Sequence, residues 1–167
     1  MSGPLIVTAT FAPGDDGWLQ RLRREHYPPE HNRVPAHLTL FRQLPPGSEA
    51  ELHTRLAAAT RAPPPRATIA GVIDLGTATA LRVDSPGLVA LRAELADALH
   101  GLLTPQDRTD WRPHVTIQNK VPRRVARALQ DRLASELRPR PLAIDGLALW
   151  RYAAGHWEPM RRFAFRF

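Results

Sequence analysis

The chain carries the stretch His37-Leu38-Thr39-Leu40 and, much later, His114-Val115-Thr116-Ile117, the same order of histidine, apolar residue, threonine and apolar residue. Side chains of a strand alternate between its two faces. In each stretch the His and Thr therefore share one face and the two apolar residues share the other. One face belongs to a core and the other to a site. Two copies of this pattern exceed what the chain's composition would supply by coincidence.

The surroundings of the two stretches also match. Leu5 to Phe11 is rich in Val, Ile and Thr and is expected to form a strand. An amphipathic helix follows from Asp15 to about Tyr27, where Pro28-Pro29 stops it. A short strand, Ala36 to Phe41, holds the first motif. Ser48 with Glu51 has the spacing of a capping box, opening a helix with Leu52 and Leu56 that ends before Pro63-Pro64-Pro65. Residues 66–75 and 81–84 read as strands joined near Gly76. Ser85-Pro86 starts a helix with Leu88, Leu91, Leu95 and Leu102 on one stripe, although Gly101 is disfavoured within it. His114 to Gln118 is a strand, and Pro122 opens a helix marked by Val125, Leu129, Leu133 and Leu137. Residues 142–152 and 161–167 form two last strands around a turn containing Gly155.

The order strand, helix, short strand, helix, strand thus occurs twice, with a His-containing strand in the middle of each half. The expected fold is α+β and bilobal, from pseudo-twofold duplicated β-α-β-α-β units. Two antiparallel-type sheets would flank a central cleft, with helices outside. Residues 1–167 are expected to make one domain whose lobes are the two halves, a size for which one domain is the prior.

With 43% hydrophobic and 23% charged residues, the composition is that of a folded chain rather than a disordered one. The absence of cysteine excludes disulfides, thiolate metal sites and cysteine nucleophiles, and makes the cytoplasm the expected location. The amino-terminal stretch lacks the pattern of a secretion signal, and Asp74 and Arg82 interrupt the most apolar region, so no membrane association is expected. A formal charge of +7 favours a phosphate-rich partner. Of the 23 basic residues only Lys120 is lysine, a bias that base composition could also produce. His26, His31 and His37 lack the spacing of a metal site, and neither metal nor cofactor is expected. Trp111, Trp150, Tyr152 and Trp157 could stack on bases, but core or hairpin packing is the commoner fate.

If a pseudo-twofold relates the lobes, two imidazoles and two hydroxyls face one small ligand across the cleft. In-line displacement at phosphorus needs a base for the incoming oxygen and an acid for the departing one, on opposite sides. Two histidines can hold both roles near neutral pH, and threonine hydroxyls can donate to non-bridging phosphate oxygens.

The paired motifs resemble the signature of the 2H phosphoesterase superfamily, particularly its 2′-5′ RNA ligase and cyclic phosphodiesterase branch, over essentially the whole chain. The resemblance implies a metal-independent enzyme opening 2′,3′-cyclic phosphates to 2′-phosphates, with His37 and His114 as the acid and base and Thr39 and Thr116 as phosphate-binding hydroxyls. Its expected partner is RNA with a cyclic phosphate end or a small cyclic nucleotide, and the chain is expected to be a monomer. Symmetry does not say which histidine is acid, but the resemblance favours His114 activating water and His37 protonating the leaving oxygen. RNA-processing relatives often carry an Arg shortly after the second motif, where this chain has Gln118-Asn119-Lys120. Strand alternation places Gln118 and Lys120 on the face of His114, and Phe41 on the face of His37. Lys120 is the expected phosphate contact and Phe41 the base or ribose contact. Arg42 and Arg112 would reach an anion if a bulge or strand end redirected them. Two further possibilities are a binding module without turnover and 2′-5′ RNA ligation in the same cleft.

Overall fold

A computed structural model describes residues 3–166. Strand β1 (Leu5–Phe11) leads into helix α1 (Pro13–His26), which has Pro13 in its first turn, Asp15 and Asp16 near its positive end and Arg23, Arg24 and His26 near its negative end. β2 (Leu38–Leu44), α2 (Glu49–Ala59) and β3 (Thr68–Asp74) complete the first half. The second comprises β4 (Thr79–Asp84), α3 (Pro86–Ala98), β5 (His114–Gln118), α4 (Arg123–Glu136), a two-residue β6 (Arg140–Pro141), β7 (Ile144–Ala153) and β8 (His156–Ala164). No helix among the described residues is long and apolar enough to cross a membrane.

Several expected boundaries shift for local reasons. Ser48 precedes α2, but its hydroxyl donates to Pro45 O at 2.6 Å within a single 3-10 turn, so the capping box with Glu51 does not form. Ser85 does cap α3, its Oγ accepting from Leu88 N–H at 3.2 Å. That helix ends at Ala98, and Leu102 falls in a separate 3-10 turn that also holds the disfavoured Gly101. β8 starts well before Arg161, because Ala154 (φ 49°) and Gly155 (φ 86°) supply the two left-handed positions of a two-residue hairpin turn between Ala153 and His156. Phe167, the last residue of that expected strand, lies outside the described residues.

The strands form two four-stranded sheets, β2-β1-β7-β8 and β5-β4-β3-β6, and every pairing is antiparallel. The sheets are not the two sequence halves, which corrects the expected lobes. Each half places its first two strands in one sheet, and the first half lends β3 to the other sheet while the second lends β7 and β8. β3 pairs with its neighbour β4 through a short connection, and β7 returns to β1. The pseudo-twofold therefore matches β1 with β4, β2 with β5 and β7 with β3. Both motif strands become edge strands.

The apolar residues of both motifs, Leu38, Leu40, Val115 and Ile117, are buried in one continuous core with Leu19, Leu52, Leu56, Leu88, Leu95, Leu129 and Leu133 from the four helices. α4 covers β3 and β4, while α1 lies against β1 and reaches across to β5. With the apolar faces turned to the helices, the His and Thr faces are left for the cleft.

Candidate active site

An edge strand has backbone groups without a ladder partner, and a buried edge must satisfy them elsewhere. Here side chains from the opposite half do so. On β2, Thr39 O accepts from Trp111 Nε1 at 3.0 Å and Leu40 O from Arg92 Nε at 3.2 Å. The Asp107 carboxylate accepts from the amides of Arg42 (3.0 Å to each oxygen) and Gln43 (3.2 Å). On β5, Thr116 O accepts from Arg23 Nη1 at 2.8 Å. Arg23 also holds Val34 O (2.8 Å) and Asn32 Oδ1 (3.1 Å) in the loop before His37, and Arg92 holds Asp107 O (2.6 Å) in the loop before His114. Each arginine comes from the first helix of its half and binds the motif strand of the other. Both are buried, and desolvation lowers both pKa values while leaving the groups cationic.

Each motif ends in a bulge at the same place. Thr39 pairs with Thr8 but Phe41 with Val7, and Thr116 pairs with Ala80 but Gln118 with Thr79, so two residues of the motif strand oppose one of its neighbour. Alternation breaks there, which overturns two expected contacts. Phe41 turns into the core, fully buried, with the Arg92 guanidinium 4.6 Å from its ring centre. Gln118 is buried as well, its Oε1 accepting from Thr79 Oγ1 at 2.8 Å, and Gln130 Nε2 donates to the same hydroxyl at 3.1 Å. Lys120 sits beyond the strand at φ 59°, exposed and outside the cleft lining, because the chain turns there rather than continuing as a strand. The bulges deliver the next residues instead. Arg42 and Asn119, each five positions after its histidine, both line the cleft.

The cleft has a volume of about 480 Å³. His37, Thr39 and Arg42 line it from the β2 edge, and His114, Thr116 and Asn119 from the β5 edge. Asp110, Trp111 and Arg112 close one side. The sequence motifs point to the two His and two Thr, and Arg112 enters from the strand end as envisaged. Sequence reasoning misses Asn119 because the bulge depends on the partner strand, although aligning the two motifs matches it with Arg42. Arg92, Asp107 and Trp111 belong to no motif. A recess of about 340 Å³ adjoins the cleft and shares His37, Thr39 and Arg42 with it.

The two imidazoles are anchored identically. His37 Nδ1 lies 2.8 Å from Pro35 O and His114 Nδ1 2.7 Å from Arg112 O, the carbonyl two residues earlier in both cases. A carbonyl only accepts, so Nδ1 carries the proton and Nε2 is the free ring nitrogen. The Trp157 ring centre is 4.6 Å from that of His37. Burial lowers the His37 pKa most, the hydrogen bond to Pro35 O opposes it, and electrostatic interaction with Arg23, His114 and Arg42 adds to the lowering, which takes the pKa from 6.5 to about 4. His37 is neutral at pH 7. Among the described residues no three His, Cys, Asp or Glu side chains group as a metal site requires.

A sequence model of the 2′-5′ RNA ligase superfamily matches residues 11–156. Among solved structures, E. coli LigT complexed with 3′-AMP superimposes with a TM-score of 0.62 at 20% identity, over 100% of each chain. The protein TT0787 of Thermus thermophilus gives 0.67 at 18% identity, over 99% of this chain and 98% of that one. E. coli LigT complexed with NADP+ gives 0.62 at 21% identity, over 99% of each. These structures share the fold. No curated protein sequence matches the chain. The family match covers most of the chain, including both His-x-Thr strands, and the chain belongs to the 2′-5′ RNA ligase superfamily, whose members are phosphoesterases and ligases.

Proposed function

We propose that the chain is a metal-independent phosphodiesterase that opens 2′,3′-cyclic phosphates of RNA ends or small nucleotides to 2′-phosphates. The observation that carries this is the pair of imidazoles, each pinned at Nδ1 by a carbonyl two residues earlier, on opposite edges of one cleft. Nucleotide ligands in crystals of LigT, 3′-AMP and NADP+, support a nucleotide substrate here.

In the proposed reaction a water oxygen attacks phosphorus and the bond from phosphorus to O3′ breaks. One imidazole takes the water proton and the other gives a proton to O3′, leaving a 2′-phosphate. His37 suits the base, because its neutral form predominates at pH 7. The acid then falls to His114, the reverse of the roles the family resemblance favoured. Thr39 and Thr116 hydroxyls and the Arg42 guanidinium are the groups for the non-bridging oxygens, where charge changes during displacement. A nucleoside hydroxyl in place of water would give 2′-5′ joining at the same site.

The test is incubation of EDTA-treated protein with each 2′,3′-cyclic nucleoside monophosphate, separating 2′- from 3′-phosphate products, beside His37→Ala and His114→Ala. Metal-free 2′-phosphate formation, lost in both variants, is expected. Binding of the nucleotides without any product would move the chain to a binding role, and product formed equally by the variants would refute the assignment.

A further inference from the structure

We infer that the recess beside His37 is a nucleobase subsite, which receives the base of the nucleotide whose phosphate lies between the two histidines. This rests on the proposed function for the phosphate's position. The recess shares His37, Thr39 and Arg42 with the cleft, so a group filling it is within reach of a phosphate bound there. Its volume of about 340 Å³ suits part of a small molecule, and its lining is half apolar or aromatic and half polar, with Gln43 the one polar residue it does not share with the cleft.

The aromatic residues of the hairpin separate into two kinds. Trp150 is a packing residue, its Nε1 donating to Thr8 Oγ1 at 3.0 Å within the sheet. Tyr152 and Trp157 are directly paired neighbours across β7 and β8, so their side chains emerge on the same face, and both line the recess. Tyr152 is 43% exposed, too open for a core residue. Ile6 is buried at the base of the recess. From β2 the exposed Gln43 also lines the recess, its backbone amide held by Asp107 while its side chain has no hydrogen bond among the described residues. A free carboxamide can donate and accept at once, as the edge of a base requires. Aromatic side chains beside a free amide accept a base, whereas a bare phosphate held between the histidines would leave them uncovered.

Among the described residues the pseudo-twofold gives no second pair of hairpin aromatics. The two aromatic residues of the recess come from a ten-residue β7 and a nine-residue β8, whereas the strand matching β8 in the other sheet is β6, of two residues. The base is therefore bound on the His37 side alone.

Calorimetric titration of the protein with 2′-AMP, ribose 5-phosphate and inorganic phosphate, in wild type, Tyr152→Ala and Gln43→Ala, tests this. Wild type is expected to bind 2′-AMP more tightly than either base-free ligand. Tyr152→Ala should weaken 2′-AMP about ten-fold, Gln43→Ala by less, and neither should alter the affinity for inorganic phosphate. Equal affinities for 2′-AMP and ribose 5-phosphate in wild type, or 2′-AMP binding untouched in both variants, would overturn the subsite. Tyr152-dependent binding of 2′-AMP without turnover of any cyclic phosphate would uphold it while removing the hydrolytic function, and a protein that binds none of the three ligands would remove both.

Discussion

β2 and β5 hold the same motif, the same histidine anchor and the same bulge, yet they differ in what stands around each. Five residues after its histidine, β2 offers the cation Arg42, and β5 offers the neutral amide Asn119. The residue just after the β2 bulge, Phe41, is packed under Arg92, whereas its counterpart Gln118 is tied into a hydrogen-bonded chain through Thr79 and Gln130. His37 has Trp157 against its ring and Arg23 and Arg42 acting on its charge. A duplicated fold supplies two equivalent imidazoles, and in the proposed reaction their unequal surroundings make His37 the base.

The comparison breaks most visibly if either histidine is removed. His37→Ala and His114→Ala are each expected to lower kcat on a cyclic phosphate by about 10²–10⁴-fold with folding retained, measured as product formation beside circular dichroism. Thr39→Val and Thr116→Val remove one hydroxyl from equivalent places and should each lower kcat by about 10²-fold. A loss confined to one of them would show that the phosphate leans toward that edge. Arg92→Ala and Arg23→Ala unfasten β2 and β5 in turn. Each leaves buried carbonyls without donors and should cost about 2–3 kcal/mol in urea unfolding.

The smallest effect concerns protonation. The His37 pKa is lower in the folded chain than in the unfolded chain, so protonation favours unfolding, and stability declines as pH falls from 6.5 through about 4. His37→Gln should flatten that decline. Arg42→Asn, which makes the two edges alike, should raise the His37 pKa by removing a nearby positive charge, read by NMR titration of the ring. A His37 titration unmoved by Arg42→Asn would assign the lowering to burial and the other positive neighbours.

Much of this molecule is legible along the chain. Local patterns carry the helices, and strand alternation correctly puts Leu38, Leu40, Val115 and Ile117 in the core and the His and Thr on the other face. What is not legible depends on partners distant in sequence. A bulge arises from how β2 meets β1 and β5 meets β4, so simple alternation puts Phe41 and Gln118 on the wrong face and passes over Asn119. The exchange of β3 and β7 between sheets is likewise a matter of non-local pairing. Arg23, Arg92 and Asp107 stand in ordinary-looking sequence, and only the unpaired edges they satisfy give them their positions.

The division of labour between the histidines is tested most directly by a substrate that needs no acid. The 4-nitrophenyl ester of a 3′-deoxynucleoside 2′-phosphate has no neighbouring hydroxyl and a leaving group that departs as an anion, so water attack still needs a base while the leaving oxygen needs no proton. On this ester His114→Ala should retain much of the wild-type rate and His37→Ala should not. The opposite pattern would make His114 the base, and equal loss in both variants would contradict a separate acid and base altogether.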